Sequence, residues 1–172
     1  MLSLGTLAFI GIVLFMIHEF EEIACVRPYI RRNRGDRRFA SEMFVAKADR
    51  AYPSTETVAV MIAEEFVMAS LIMGLGIAVG SVEIVLAPFA AFTLHLIGHV
   101  IEAVRFPGWA PGSRTAVALL LPSVALVVVV LTSGQARPLA LALLTLGIGA
   151  ALLINLLALH SLSGWVEARL RR

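Results

Sequence analysis

Five apolar stretches, each long enough to cross a bilayer as a helix, dominate this chain and leave it few ways to fold. They run over residues 4–25, 57–80, 84–104, 115–132 and 139–162. A spanning helix needs roughly 20 mostly apolar residues, because the hydrocarbon core is about 30 Å thick. Composition agrees. Only 15% of the 172 residues are charged and 59% are hydrophobic, whereas an ordinary soluble domain carries about 25% charged residues. The expectation is an all-α polytopic membrane bundle of five transmembrane helices, a single domain over residues 1–172.

The breakers Pro28, Pro53, Gly108, Pro111, Gly134 and Pro138 fall where spans should end. Orientation follows from the basic residues, which favour the cytoplasmic side. With the amino terminus outside and the carboxyl terminus cytoplasmic, the inner parts are residues 26–56, 105–114 and the tail after 163. These hold thirteen of the fourteen Lys and Arg residues, all but Arg137. The basic cytoplasmic loop 26–56 reads as a topology anchor able to touch anionic headgroups. No aromatic residues interleave with its arginines, so no nucleic-acid partner is expected. No basic n-region precedes the first span, so no cleavable signal peptide is indicated. One cysteine, Cys25, excludes an internal disulfide. The expected setting is a bacterial cytoplasmic membrane, with the bilayer itself as the main partner.

The spans carry ionisable side chains that cost at least about 2.5–3.5 kcal/mol each when charged at the helix centre. The first ends His18-Glu19-Phe20-Glu21-Glu22, the second holds Glu64-Glu65, the third His95, His99 and Glu102, and the fifth Asn155 and His160. His18, Glu21 and Glu22 stand at i, i+3 and i+4, on one side of a helix. His95, His99 and Glu102, at i, i+4 and i+7, form another stripe. Glu19 points elsewhere, toward the headgroups. Glu65 shares its stripe with Ala69, Gly76 and Gly80, so it faces the bundle better than Glu64 does. With about 1.5 Å rise per residue, these groups fall at late positions in the odd-numbered spans and early ones in the second. All therefore lie toward the cytoplasmic leaflet.

Carboxylates gathered in one place repel unless some are protonated or a cation joins them. Helical bundles hold two-metal sites with mixed carboxylate and imidazole ligands from facing helices. The candidate metal ligands are His18, Glu21, Glu22, Glu64, Glu65, His95, His99, Glu102 and His160, a number suited to two ions. Iron is the leading choice, with zinc or manganese as alternatives. Asn155 reads as a helix-packing amide. The fourth span, without an ionisable group, reads as scaffold, and Ser123, Ser133 and Ser161 have no triad around them.

The His18-Glu19-Phe20-Glu21-Glu22 run resembles the signature of the HXXEE family of small integral membrane proteins. Glu64-Glu65, His95/His99 and Phe106-Pro107-Gly108 are similar to that family's layout, over about residues 10 to 160. The resemblance implies a shared polar site but no substrate.

The leading functional expectation is a membrane-embedded two-iron enzyme that oxidises a hydrophobic or lipid-like small molecule, with electrons from an external donor. The main alternative is a zinc-dependent intramembrane hydrolase, in which the metal lowers the pKa of bound water to about 7 and Glu64 or Glu22 is the catalytic base. A metal-ion or proton transporter is a third class, disfavoured because the outer halves of the spans are nearly all apolar. A hydrogen-bonded network gluing the helices is the purely structural alternative.

Overall fold

The computed structural model describes residues 2–42, 44–46 and 52–171; Lys47, Arg50 and Arg172 of the basic set lie outside the described residues. Five α-helices follow in order: α1 Leu4–Asn33, α2 Thr55–Val79, α3 Val82–Arg105, α4 Ser113–Thr132 and α5 Pro138–Leu170. A short 3-10 turn, Arg37–Phe39, follows α1. No strand occurs among the described residues.

Local chemistry sets the helix boundaries. The hydroxyls of Ser3, Ser54 and Ser81 accept from the backbone N–H groups of Thr6, Thr57 and Ile84, capping α1, α2 and α3. Gly80 ends α2 at φ 71°, a left-handed conformation that glycine adopts without strain, and Ser81 N then donates to Gly76 O at 2.9 Å. The result is a tight α2–α3 turn. Pro138 opens α5, where its missing N–H costs nothing.

Two helices outrun the apolar stretches that predict them. α1 continues through Pro28 to Asn33, because the turn beyond the proline buries Val26, Tyr29 and Ile30 and this packing offsets the one lost hydrogen bond. α5 continues past residue 162 to Leu170.

α2, α3, α4 and α5 are each long and apolar enough to cross a membrane, and the chain is an integral membrane protein. Their outward faces carry large apolar side chains such as Leu71, Leu121, Leu139 and Leu153, which suits hydrocarbon rather than water. α3 is the central helix and packs against each of the other four. It buries Val85, Leu86, Ala87, Phe89, Phe92 and Leu96. Small residues let helices approach in a membrane, where packing rather than exclusion of water drives association. A Cβ on Gly76 would lie 2.7 Å from the backbone nitrogen of Val85, so α2 and α3 meet backbone to backbone there.

A second apolar cluster closes one end of the bundle: Val26, Tyr29 and Ile30 of α1 with Phe39, Phe44, Val45, Phe106 and Ala110. Part of the loop read as a basic anchor therefore folds back onto the helix ends. That end carries the polar site.

Candidate metal centre

α1 and α3 each contribute a pair of side chains one helical turn apart. His18 and Glu22 face His95 and His99, and one atom from each converges. His95 Nε2 lies 3.3 Å from His18 Nε2 and 3.0 Å from His99 Nε2. Glu22 Oε1 lies 2.9 Å from His99 Nε2 and 3.6 Å from His18 Nε2. All four atoms fall within 4.8 Å of one another.

The outer nitrogens fix what these inner ones can be. Thr115 donates its hydroxyl proton to Glu21 Oε2 at 2.6 Å, so at its 3.0 Å contact with His18 Nδ1 the hydroxyl oxygen must accept. His99 Nδ1 faces the carbonyl of Pro111 at 3.0 Å, and a carbonyl only accepts. Both rings therefore carry a proton on Nδ1, and as neutral imidazoles both turn an Nε2 lone pair inward. Glu22 Oε1 is buried and has no hydrogen-bond partner among the described residues, although it lies 2.9 Å from His99 Nε2. A neutral His95 can place one Nε2 proton toward only one of the His18 and His99 rings, which leaves the other ring's Nε2 lone pair with no proton to meet it. A cation at the centre turns the same arrangement into coordination.

The spacing fits a metal ion. Zinc binds His nitrogen at about 2.0–2.1 Å and carboxylate oxygen at about 2.0–2.2 Å, so the ligands of a tetrahedral ion stand about 3.3–3.5 Å apart. Four of the six separations, 2.9, 3.0, 3.3 and 3.6 Å, bracket that edge, and the other two fall within 4.8 Å, so an ion would draw the group together slightly. The outer bonds to Thr115 and Pro111 are of the kind that orient metal-bound imidazoles. His18 and His99 are buried, Glu22 is half-buried and His95 is exposed, so the group opens on the His95 side of α3.

The loop before α4 approaches closely. Gly112 has φ 76°, and a Cβ there would lie 2.8 Å from His18 Cε1, 2.9 Å from Glu22 Oε1 and 3.0 Å from His99 Nδ1. Only a glycine lets this backbone cover the group.

The other candidate ligands lie elsewhere. Glu21 stands just outside the group, accepting from Thr115 N at 2.7 Å as well as from its hydroxyl. Glu64 and Glu65 both accept from Asn155 Nδ2, at 2.7 and 2.8 Å. They share one donor, so stripe geometry does not separate them, and Asn155 ties α5 to α2 as a packing amide. Glu102 has a buried, unpartnered Oε2. His160 Nδ1 donates to Leu156 O at 2.9 Å within its own helix. The placement of Glu19 toward the headgroups is corrected: it is buried at 7% exposure, on a helix that packs against both α2 and α3. The scaffold reading of the fourth span is corrected as well, since Thr115 supports both His18 and Glu21. The sequence carried no ionisable group there to mark it, and Pro111-Gly112 looked only like a helix break.

The family model described as a protein of unknown function with HXXEE motif matches residues 9–128. The chain belongs to the HXXEE family. No curated protein and no solved structure matches it. The matched span contains the converging residues His18, Glu22, His95 and His99 together with Gly112 and Thr115, whereas Asn155 and His160 fall beyond it. The HXXEE motif itself gains a geometric meaning. Its His18 and its second glutamate, Glu22, point into the group, and its first glutamate, Glu21, holds the Thr115 hydroxyl that orients His18.

Proposed function

We propose that this HXXEE protein is a membrane-embedded metalloenzyme holding one zinc-type ion on His18, His95, His99 and Glu22, and that it hydrolyses a lipid-soluble substrate. The observation that carries the reading is the meeting of three Nε2 atoms and one carboxylate oxygen within 4.8 Å of one another, four of their separations lying between 2.9 and 3.6 Å. Held on these residues, a zinc ion would supply Lewis-acid chemistry and a bound water with a pKa of about 7.

The chain's own residues supply the rest. Three imidazoles would hold the ion, and Glu22, 15% exposed and the one carboxylate of the group, would be placed to take up a proton. His95 is exposed, and Ile17, Phe20, Leu94 and Ile97 nearby in sequence are exposed too. A hydrophobic substrate would reach the group laterally, from the acyl chains. The two-iron oxidation expected from ligand count needs bridging carboxylates, and Glu22 alone brings one to the four-atom group; Glu64 and Glu65 are engaged by Asn155.

The same reading includes α1 as a fifth span, the amino terminus outside and the site in the cytoplasmic half. Its support is the basic partition, with Arg31 and Arg32 closing α1, Arg105 closing α3 and Arg169 near the end of α5. Elemental analysis of detergent-purified protein is the test. About one zinc per chain, with a hydrolytic activity lost in His95→Ala, is expected. Two irons per chain would overturn the hydrolytic reading in favour of oxidation, and protein without metal after gentle purification would favour the polar network.

A further inference from the structure

Three buried oxygens from three separate segments lack any hydrogen-bond partner among the described residues: the Tyr29 hydroxyl, Glu42 Oε1 and Glu102 Oε2. Tyr29 lies in the last turns of α1, Glu42 just after the 3-10 turn, and Glu102 in the last turn of α3. Tyr29 is 2% exposed and Glu42 is fully buried. Buried polar atoms are nearly always bonded, and an orphan points to a missing water or ion. Three together, two of them on carboxylates, ask for positive charge.

The segments that carry them pack together in one cluster. Tyr29 meets Phe39 edge to face at 6.1 Å, and Phe39 stacks on Phe106 at 6.2 Å, one turn beyond Glu102. Glu42 N donates to Phe39 O at 3.0 Å. The other oxygen of Glu42, Oε2, accepts from Phe44 N at 3.0 Å and Val45 N at 2.7 Å, which clamps the carboxylate in one orientation. Electrostatics agrees. Tyr29 holds its proton above the ordinary range because of burial first, then the charges of Glu42 and Glu102. Glu42 is raised chiefly by burial, with Glu102 adding to it. Neither carboxylate has an ion pair among the described residues.

We infer that Tyr29, Glu42 and Glu102 form a second cation site, distinct from the histidine centre, that takes a hard divalent ion on oxygen ligands alone. Carboxylate and hydroxyl oxygens select magnesium, manganese or calcium, whereas imidazoles suit zinc. Bound there, the ion pins the segment around Phe44 over the centre, where Phe44 already lies 6.5 Å from the His99 ring. The inference stands on its own orphaned oxygens and does not require zinc at the histidines.

The test uses full-length protein in detergent, stripped with chelator, loaded with one equivalent of Zn²⁺ and titrated with Mn²⁺ while the free-Mn²⁺ resonance is followed. About one Mn²⁺ should bind per chain, weakened about 10-fold or more in Glu42→Gln and in Tyr29→Phe with zinc retained. His18→Ala, which removes a zinc ligand, should still take up Mn²⁺. A wild-type protein that binds no Mn²⁺, or equal Mn²⁺ affinity in both variants, would overturn the inference. Should Glu42→Gln fail to fold, Tyr29→Phe decides alone, because it leaves every charge in place.

Discussion

The imidazole of His18 and the hydroxyl of Thr115 meet at 3.0 Å across the α1–α4 contact, and the direction of that bond is set by Glu21 behind it. A three-member relay thus holds one ring, fixes its tautomer and aims its Nε2 at the other ligands. Outer bonds of this kind typically contribute 10–100-fold to metal affinity. Thr115→Val should weaken zinc binding by about that factor without changing helical content. Thr115→Ser, which keeps the hydroxyl, should restore most of it. Competition with a zinc-binding dye is the measurement.

Gly112 is required twice over. A side chain at φ 76° strains the backbone by about 1–3 kcal/mol, and its Cβ would press on His18, Glu22 and His99 together. Gly112→Ala should therefore lose metal although every ligand remains, and its thermal midpoint should fall. Gly134→Ala carries the same backbone penalty at φ 70° but meets nothing within 4 Å, so it should keep its metal. The pair of variants separates strain from obstruction.

Asn155 provides a control on membership of the site. Its amide serves both Glu64 and Glu65, and removing it leaves two half-buried acceptors without a donor, at about 1–3 kcal/mol for each group left unsatisfied. Asn155→Ala should lower the unfolding midpoint yet retain stoichiometric zinc. Loss of zinc from a folded Asn155→Ala protein would place these carboxylates in the metal centre.

The pH dependence of the metal-free protein should carry the signature of Glu42. Burial raises its folded-state pKa above the unfolded value, so the folded state binds the proton more tightly. Stability from this group is present below the unfolded pKa and is lost as pH rises through the folded one. Glu42→Gln should abolish that decline and leave the stripped protein more stable at neutral pH. Its amide oxygen can keep the bonds from Phe44 and Val45 while its NH₂ faces the orphaned oxygens. Thermal melts in chelator across acidic to neutral pH check the sign.

Much of this was legible in the sequence, for physical reasons that differ between residues. The i, i+4 spacing of His18 with Glu22 and of His95 with His99 predicts two faces, and helical geometry delivers them. Apolar length predicts the helices within a few residues, apart from the extensions beyond Pro28 and residue 162. Depth along a helix does not fix azimuth against a neighbour, which is why Glu64, Glu65 and His160, expected toward the same leaflet, do not join the group. Thr115, Gly112 and Glu42 were not legible as site residues. A hydroxyl, a glycine and a loop acid carry no periodic signal, and each matters only through a contact with a distant segment.

X-ray absorption at the metal edge of purified protein tests the central claim most directly. The expected result is a first shell of three nitrogens and one oxygen at about 2.0–2.2 Å, with outer scattering from three imidazoles that drops to two in His95→Ala. A shell without imidazole scattering, or one unchanged by that substitution, would contradict it.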